Sequence, residues 1–218
     1  REEDPQAQYL LGKLLEEGKV AKDTPGIDYN FTQYYQIAAV HPEEPSAEAL
    51  CALGRIKADA GLSVVAMDYF EKAINLGSSD AANRLGQLLV SEKLPGVDEK
   101  AGAKRAVELF ALAASKGHVE AQSNLGLMRL KGIGCDQSYE EAKLLFERAE
   151  KSNDPQATFY LGYLAYREAT SSKDDNLFFK ANSLFRKSLA SQPLDAETNY
   201  YLGHMLEMGW GGSKDLVL

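Results

Sequence analysis

The hydrophobic and small residues of 121–149 follow a helical period in two runs separated by a glycine turn. The first run begins with an alanine and ends at Leu130, and its apolar positions recur three or four residues apart, on one face of a helix. Gly132 and Gly134 interrupt this pattern and can supply the positive φ at which helices end. The second run, 142–149, again has one apolar stripe. The pattern predicts an antiparallel pair of helices that cannot bury its apolar face alone.

The turn between these runs contains a start signal for the second helix. Asp136 or Ser138 can cap it, because a side-chain oxygen at this position accepts from a free backbone N–H. Glu141 follows Ser138 by three residues, as in a capping box. We therefore predict that the second helix begins directly after residue 136 or 138.

The same unit recurs along the chain, marked by Ala-x-x-x-Leu-Gly in each first helix. Five copies have the full pattern, and the sixth has Thr198 in place of the alanine. The Leu-Gly steps are Leu11-Gly12, Leu53-Gly54, Leu85-Gly86, Leu125-Gly126, Leu161-Gly162 and Leu202-Gly203. Each second helix carries an apolar or aromatic pair followed by small residues. These pairs are Tyr34-Tyr35, Tyr69-Phe70, Leu109-Phe110, Leu145-Phe146 and Leu184-Phe185.

The repeated residues have a packing role. A glycine inside a helix costs about 1 kcal/mol relative to alanine, so we expect the close approach of a neighbouring helix to offset it. The residue two after each glycine is apolar in every copy, and we predict that it is core. These residues are Leu14, Ile56, Leu88, Met128, Leu164 and Met205. We predict that the pairs of the second helices are core as well.

The repeat pattern, the Gly132-Ile-Gly134 turn and the helix end Ala113-Ala114-Ser-Lys-Gly117 resemble the Sel-one-like repeat, a relative of the tetratricopeptide repeat. Successive Leu-Gly steps are 32 to 42 residues apart, and a repeat length that varies in this way resembles that family. The resemblance implies an all-α fold, an α-solenoid (a right-handed superhelix) of about five and a half helix-turn-helix repeats. It predicts eleven helices and no sheet.

We expect the repeats to form a single α-solenoid repeat domain over residues 1–218. The predicted repeats cover approximately 5–41, 47–77, 80–117, 121–152, 155–191 and 196–218. Because the last repeat lacks its second helix, we interpret the chain as a segment of a longer protein. We predict that the polar stretch 170–176 is a mobile turn between the helices of repeat 5.

Composition narrows the classes of partner and compartment. The formal net charge is −8 and the pI is near 5.0, which argues against nucleic acid and anionic membrane surfaces. No apolar run is long enough to insert into a membrane. Cys51 and Cys135 lie in different repeats, which favours a reducing compartment such as the cytoplasm. The lumen of the endoplasmic reticulum, where some members of the family reside and where the sequon at Asn30 could be glycosylated, is the alternative.

The sequence offers no convincing chemistry. His41, His118 and His204 are scattered, and none has a second His or Cys at metal-ligand spacing. The glycine turn at 132–134 lacks the Lys and Ser or Thr of a phosphate loop. We therefore predict no catalytic residues, no metal and no cofactor.

Two classes of function fit these observations. The resemblance implies a non-enzymatic scaffold or adaptor that binds a protein or peptide segment on its concave face within a larger complex. The alternative is the repeat region of an enzyme, or of a secreted hydrolase-like repeat protein. The cysteine-rich members for which hydrolysis has been suggested bridge each repeat with a disulfide, and this chain lacks their cysteine pattern.

Aromatic residues mark one candidate binding surface. By analogy with tetratricopeptide arrays, three positions of each first helix face the concave side. In repeats 1 and 2 they hold a mixed set, namely Tyr9, Lys13, Glu16, Cys51, Arg55 and Ala58. In repeats 5 and 6 they hold Phe159, Tyr163, Tyr166, Tyr200, His204 and Glu207. We predict a partner-binding patch at the first five of these six, because amphipathic rings dominate binding hot spots. The alternative is that the rings pack on one another or on repeats beyond Leu218.

Overall fold

The computed structural model describes residues 4–21, 24, 26–91, 94–193 and 195–212. All regular secondary structure in these residues is helical, so the predicted all-α solenoid of eleven helices and no sheet is confirmed for the described part of the chain. The helices are α1 Pro5–Glu16, α2 Phe31–Ala39, α3 Ala47–Asp59, α4 Ser63–Asn75, α5 Ser79–Ser91, α6 Glu99–Ser115, α7 Val119–Lys131, α8 Tyr139–Glu150, α9 Pro155–Ser172, α10 Asp175–Ser191 and α11 Ala196–Met208.

Consecutive helices pack in pairs, and the chain divides into two compact units. Arg1–Lys116 contains α1 to α6, and Gly117–Leu218 contains α7 to α11. In the first unit α2 also packs on α3, and α4 on α5; in the second, α8 packs on α9 and α10 on α11. Helices α2, α4, α8 and α10 thus each pack on two helices, as expected of stacked repeats. The single repeat domain and the right-handed superhelix stay predictions.

The first helix of each of the six repeats is capped at its start by a side chain. Each cap residue lies three positions before the alanine of the repeat pattern and accepts from a backbone N–H of the first turn. The caps are Asp4, Ser46, Ser78, His118, Asp154 and Asp195. Of the two caps predicted for α8, Ser138 is the one used, with its hydroxyl 3.2 Å from the backbone nitrogen of Glu141.

The repeated glycine lies against the aromatic ring of the paired second helix. A Cβ built on Gly126 would lie 2.7 Å from the Cε1 atom of Phe146, and one on Gly54 would lie 2.6 Å from Phe70. The same contact joins Gly12 to Tyr35, Gly86 to Phe110 and Gly162 to Phe185. These distances leave no room for a methyl group, so the predicted close approach is confirmed in five repeats.

Core positions follow the predictions with two exceptions. The second member of each pair is fully buried, but its first member is only half-buried in most repeats. Two residues after the glycine, Leu88, Met128 and Met205 are buried, but Leu14 is 43% exposed, so the prediction of a core role in every copy is wrong. Leu14 lies on the first helix of the chain, where no preceding helix of the described residues covers it.

The turn predicted for residues 170–176 is mostly helical. Helix α9 continues to Ser172 and α10 begins at Asp175, which leaves a turn of two residues. The hydroxyls of Thr170 and Ser171 donate to the carbonyl of Arg167, so these polar residues are accommodated within the last turns of α9. The predicted long turn is therefore wrong. Within the described residues, no helix has the length and apolar character needed to cross a bilayer.

Candidate protein-binding cleft

Helices α9 and α11 bring the predicted aromatic residues close together in the second unit. Phe159 is only 7% exposed and belongs to the core, whereas Tyr200 is 67% exposed. Tyr163, Tyr166 and His204 lie between these extremes, half-buried. The exposed fraction of the five side chains therefore ranges from that of a core residue to that of a surface residue.

Tyr201 links these rings, although the sequence reasoning did not select it. Its ring stacks on Phe185 with a centroid separation of 5.5 Å and meets Tyr163 edge-on at 5.7 Å. Tyr160 was also missed, and it stacks on Phe146 at 5.1 Å. Both residues directly follow a predicted position, so the adjacent aromatic pairs 159–160 and 200–201 were the signal that could have revealed them.

These rings line a cleft of about 610 Å³, here called the aromatic cleft. Its walls come from the end of α7, the start of α8, residues 159–167 of α9 and the first turns of α11. The lining residues are Leu130, Lys131, Gln137, Tyr139, Phe159, Tyr160, Tyr163, Arg167, Ala196, Glu197, Tyr200 and Tyr201. Of the predicted residues, Phe159, Tyr163 and Tyr200 therefore share one cleft.

Tyr166 and His204 lie beside the aromatic cleft and do not line it. Both contact Trp210, with centroid separations of 6.2 Å for Tyr166 and 5.7 Å for His204. Trp210 in turn stacks on Phe178 at 4.6 Å. These two predicted residues are therefore part of a ring cluster that supports α9 and α11 from the side.

A second cavity of about 480 Å³, here called the acidic bowl, adjoins the aromatic cleft and shares Phe159, Tyr160 and Glu197 with it. Its four carboxylates come from the starts of α7, α9 and α11, and no Lys or Arg among the described residues lines it. They belong to Glu120, Asp154, Asp195 and Glu197. Cleft and bowl together form one trough.

The electrostatic effect of these carboxylates is visible at Tyr160. Burial raises the pKa of its phenol to about 12, and the negative charges of Glu197 and Asp195 act in the same direction. The phenol therefore stays protonated at neutral pH and can donate a hydrogen bond. At the other end of the cleft, the Arg167 guanidinium lies over the Tyr139 ring, 4.0 Å from its centroid.

The first unit has a smaller cleft of about 340 Å³ at the corresponding place. Five of the six positions predicted for repeats 1 and 2 line it, and only Ala58 does not. Ion pairs lie within it: Arg55 pairs with Glu16, which also accepts from the Tyr35 hydroxyl at 2.7 Å. Arg84 and Asp80 form a further ion pair at 3.0 Å.

Cysteine and histidine have structural partners. The Cys51 thiol donates to Asp80 at 3.2 Å, and burial together with that carboxylate raises its pKa to about 12. Cys51 is therefore a protonated thiol at neutral pH and a poor nucleophile. His118 accepts from the backbone of Ala121, and both cysteines are free. Among the described residues, no cluster of three His, Cys, Asp or Glu side chains could hold a metal ion.

Most of the repeat units of the chain match a known family. The Sel1 repeat matches residues 5–26, 47–78, 79–118, 119–154 and 196–218, more than half of the chain. The chain belongs to the Sel1 repeat family. Proteins of this family are generally non-catalytic scaffolds for protein interactions. The matches leave out residues 27–46, which contain α2, and residues 155–195, which contain α9 and α10.

Two solved structures are similar over 99% of this Sel1 repeat chain. One is a protective antigen of uropathogenic Escherichia coli displaying an SLR fold, with 26% identity and a TM-score of 0.73. The chain spans 44% of the length of that antigen. The other, a Sel1 repeat protein from Oxalobacter formigenes, has 20% identity and a TM-score of 0.72, and 83% of its chain is covered. No curated protein matches the chain.

Proposed function

We propose that this Sel1 repeat chain is a non-enzymatic adaptor that binds a segment of a partner protein in the aromatic cleft. The observation that carries the proposal is the graded set of rings, from buried Phe159 through half-buried Tyr163 to Tyr200. Rings fixed by their neighbours lose little entropy on binding, and their polar tips can hydrogen-bond a peptide backbone. A volume of about 610 Å³ can accommodate several side chains of a peptide.

The chemistry of the cleft supports binding over catalysis. Its most perturbed titratable group, the phenol of Tyr160, has a raised pKa and is held as a neutral donor. A general base or a nucleophile requires a pKa near the working pH, or a lowered one. The groups that line the cleft therefore suit recognition of a partner.

The test compares three variants that each remove one aromatic ring. Tyr200→Ala and Tyr163→Ala remove rings that line the cleft, whereas Phe179→Ala removes a ring that is 56% exposed on α10 and lines neither cavity. Peptides would first be selected from a random phage-displayed library against the natural protein. Their dissociation constants and the melting temperature would then be measured for each variant.

We expect Tyr200→Ala to weaken peptide binding about tenfold or more, the effect of losing a hot-spot ring, with an almost unchanged melting temperature. Tyr163→Ala should weaken binding and also lower the melting temperature, because its ring packs on Tyr201. Phe179→Ala should leave binding unchanged. If the selected peptides bind equally well to the Tyr200 and Phe179 variants, the cleft is not the binding site.

A further inference from the structure

The trough has charges of opposite sign at its two ends. The acidic bowl lies where α9 and α11 begin, and Lys131 and Arg167 line the far end of the aromatic cleft. Among the described residues, no salt bridge joins Lys131, Arg167 or Glu197 to another side chain. The cleft of the first unit differs, because Glu16 pairs with Arg55 and Asp80 with Arg84. The trough therefore presents separated charges to a ligand.

Two of the carboxylates in the bowl are held in place by the fold. Asp154 accepts from the backbone of Ala157 at 2.8 Å and from the hydroxyl of Ser123 at 2.6 Å. Asp195 accepts from the backbone of Thr198 at 2.8 Å. These bonds fix the carboxylates at the helix starts, and the exposed Glu197 adds a third charge that is not used by a cap. The charges of Glu197 and Asp195 also act inside the cleft, where they add to the effect of burial in raising the pKa of Tyr160.

From this arrangement we infer that the segment bound in the trough is extended, with a basic side chain at one end, apolar side chains in the middle and an acidic side chain at the other. The inference rests on the proposed function and adds the chemistry of the partner. The basic side chain meets the acidic bowl, the apolar side chains meet Tyr163 and Tyr200, and the acidic side chain meets Arg167 and Lys131. Charge complementarity of this kind sets the orientation and specificity of a bound segment.

The length of the segment follows from helix geometry. Asp154 caps α9 and Arg167 lies thirteen residues further along, about 20 Å at 1.5 Å per residue. An extended chain covers about 3.3–3.6 Å per residue, so about six residues connect the two ends of the trough. One charged residue at each end and two or more apolar residues between them fit this distance.

The experiment uses a matched set of labelled, end-blocked hexapeptides. The two bipolar peptides are Lys-Ser-Leu-Phe-Ser-Glu and its reverse, which represent the two chain directions. Three comparison peptides replace both ends by Gln, by Lys or by Glu. Fluorescence anisotropy with the natural chain at low and high salt gives the dissociation constants. We expect one bipolar peptide to bind about tenfold more tightly than the Gln peptide, an advantage that salt removes, and the doubly acidic peptide to bind most weakly.

Charge-reversal variants locate the effect. Glu197→Lys should reduce the affinity of the preferred bipolar peptide about five- to tenfold and leave that of the Gln peptide unchanged. Its matched control is Glu207→Lys, on the same helix but outside the trough. Arg167→Glu should also reduce the affinity of the preferred bipolar peptide. Its control is Arg148→Glu, which reverses the charge of an exposed residue on α8. Circular dichroism shows whether each variant is folded.

The outcomes separate the two proposals. If the bipolar and Gln peptides bind equally well and all lose affinity in Tyr200→Ala, the cleft binds peptides and the charge inference is overturned. An equal effect of Glu197→Lys and Glu207→Lys also overturns it. If no peptide binds at millimolar concentration, or if Tyr200→Ala has no effect on any of them, both the charge inference and the proposed function fail.

Discussion

Gly126 occupies a place in α7 that no other residue can take without a shift of its neighbour. The Cβ of an alanine would lie 2.7 Å from the ring of fully buried Phe146. Gly203 has the same sequence context in α11, but no described atom lies within 4 Å of a Cβ built there. The two glycines are therefore a matched pair in which only one makes the ring contact.

We expect Gly126→Ala to lower the free energy of unfolding by about 1–3 kcal/mol, because overpacking outweighs the gain in helix propensity. Gly203→Ala should leave stability unchanged or raise it by up to about 1 kcal/mol. Urea unfolding followed by circular dichroism measures both. A Gly126→Ala protein as stable as the natural chain would contradict the packing role of the glycine.

The phenol of Tyr160 makes stability depend on alkaline pH. Its folded pKa of about 12 lies above the ordinary value near 10, so the folded state holds the proton more tightly than the unfolded state. This contribution is fully present below about pH 10 and is lost as the pH rises towards 12. We expect Tyr160→Phe to lose less stability than the natural chain between pH 9 and pH 11.5 in urea unfolding experiments. Parallel loss in both proteins would assign the effect to other tyrosines.

At the scale of a helix, Asp154 joins two elements. It caps α9 through the backbone of Ala157 and accepts from Ser123 on α7. Asp154→Ala should lower the free energy of unfolding by about 1–2 kcal/mol or more, since a cap and a buried hydroxyl both lose their partner. Asp154→Asn keeps a capping oxygen and should cost less. Equal losses in the two variants, measured by urea unfolding, would show that capping is not the cause.

The helices could be predicted well from the sequence because the same pattern recurs from repeat to repeat. The glycine and aromatic positions could be matched across copies, and the contact between them was confirmed in five repeats. The polar stretch 170–176 was predicted wrongly because it occurs in one repeat and could not be compared with other copies. The hydroxyls of Thr170 and Ser171 donate hydrogen bonds to a backbone carbonyl of α9, so these residues can remain helical. A pattern of polarity cannot distinguish a loop from a solvated helix end.

The candidate site was only partly predictable. Phe159, Tyr163 and Tyr200, which the analogy with tetratricopeptide arrays selected, line the aromatic cleft, and their role in binding stays a prediction. Tyr160 and Tyr201 were missed because three positions per helix were considered, whereas the wall of a cleft is wider than one row of residues. The separation of charge along the trough depends on which helix starts lie together, and this requires the packing of α7, α9 and α11.

At the scale of the whole chain, stability is expected to depend on neighbouring repeats. Helix α3 packs on both α2 and α4, so deletion of residues 1–45 leaves one side of α3 in water. We expect a lower urea midpoint and increased binding of a hydrophobic dye. Leu14→Gln, at an exposed position in the same segment, should change stability by no more than about 0.5 kcal/mol. An unchanged midpoint after the deletion would mean that the remaining repeats are stable independently of the first.

The contact between glycine and ring also bears on how such a chain can change over generations. Sixteen residues separate Gly54 from Phe70 and twenty-four separate Gly86 from Phe110, yet the two contacts have nearly the same geometry. The number of residues between the two helices of a repeat therefore does not change this contact. Insertions and deletions in the gene can accumulate there while the ring stays in place, so the surfaces around the turns are free to diversify.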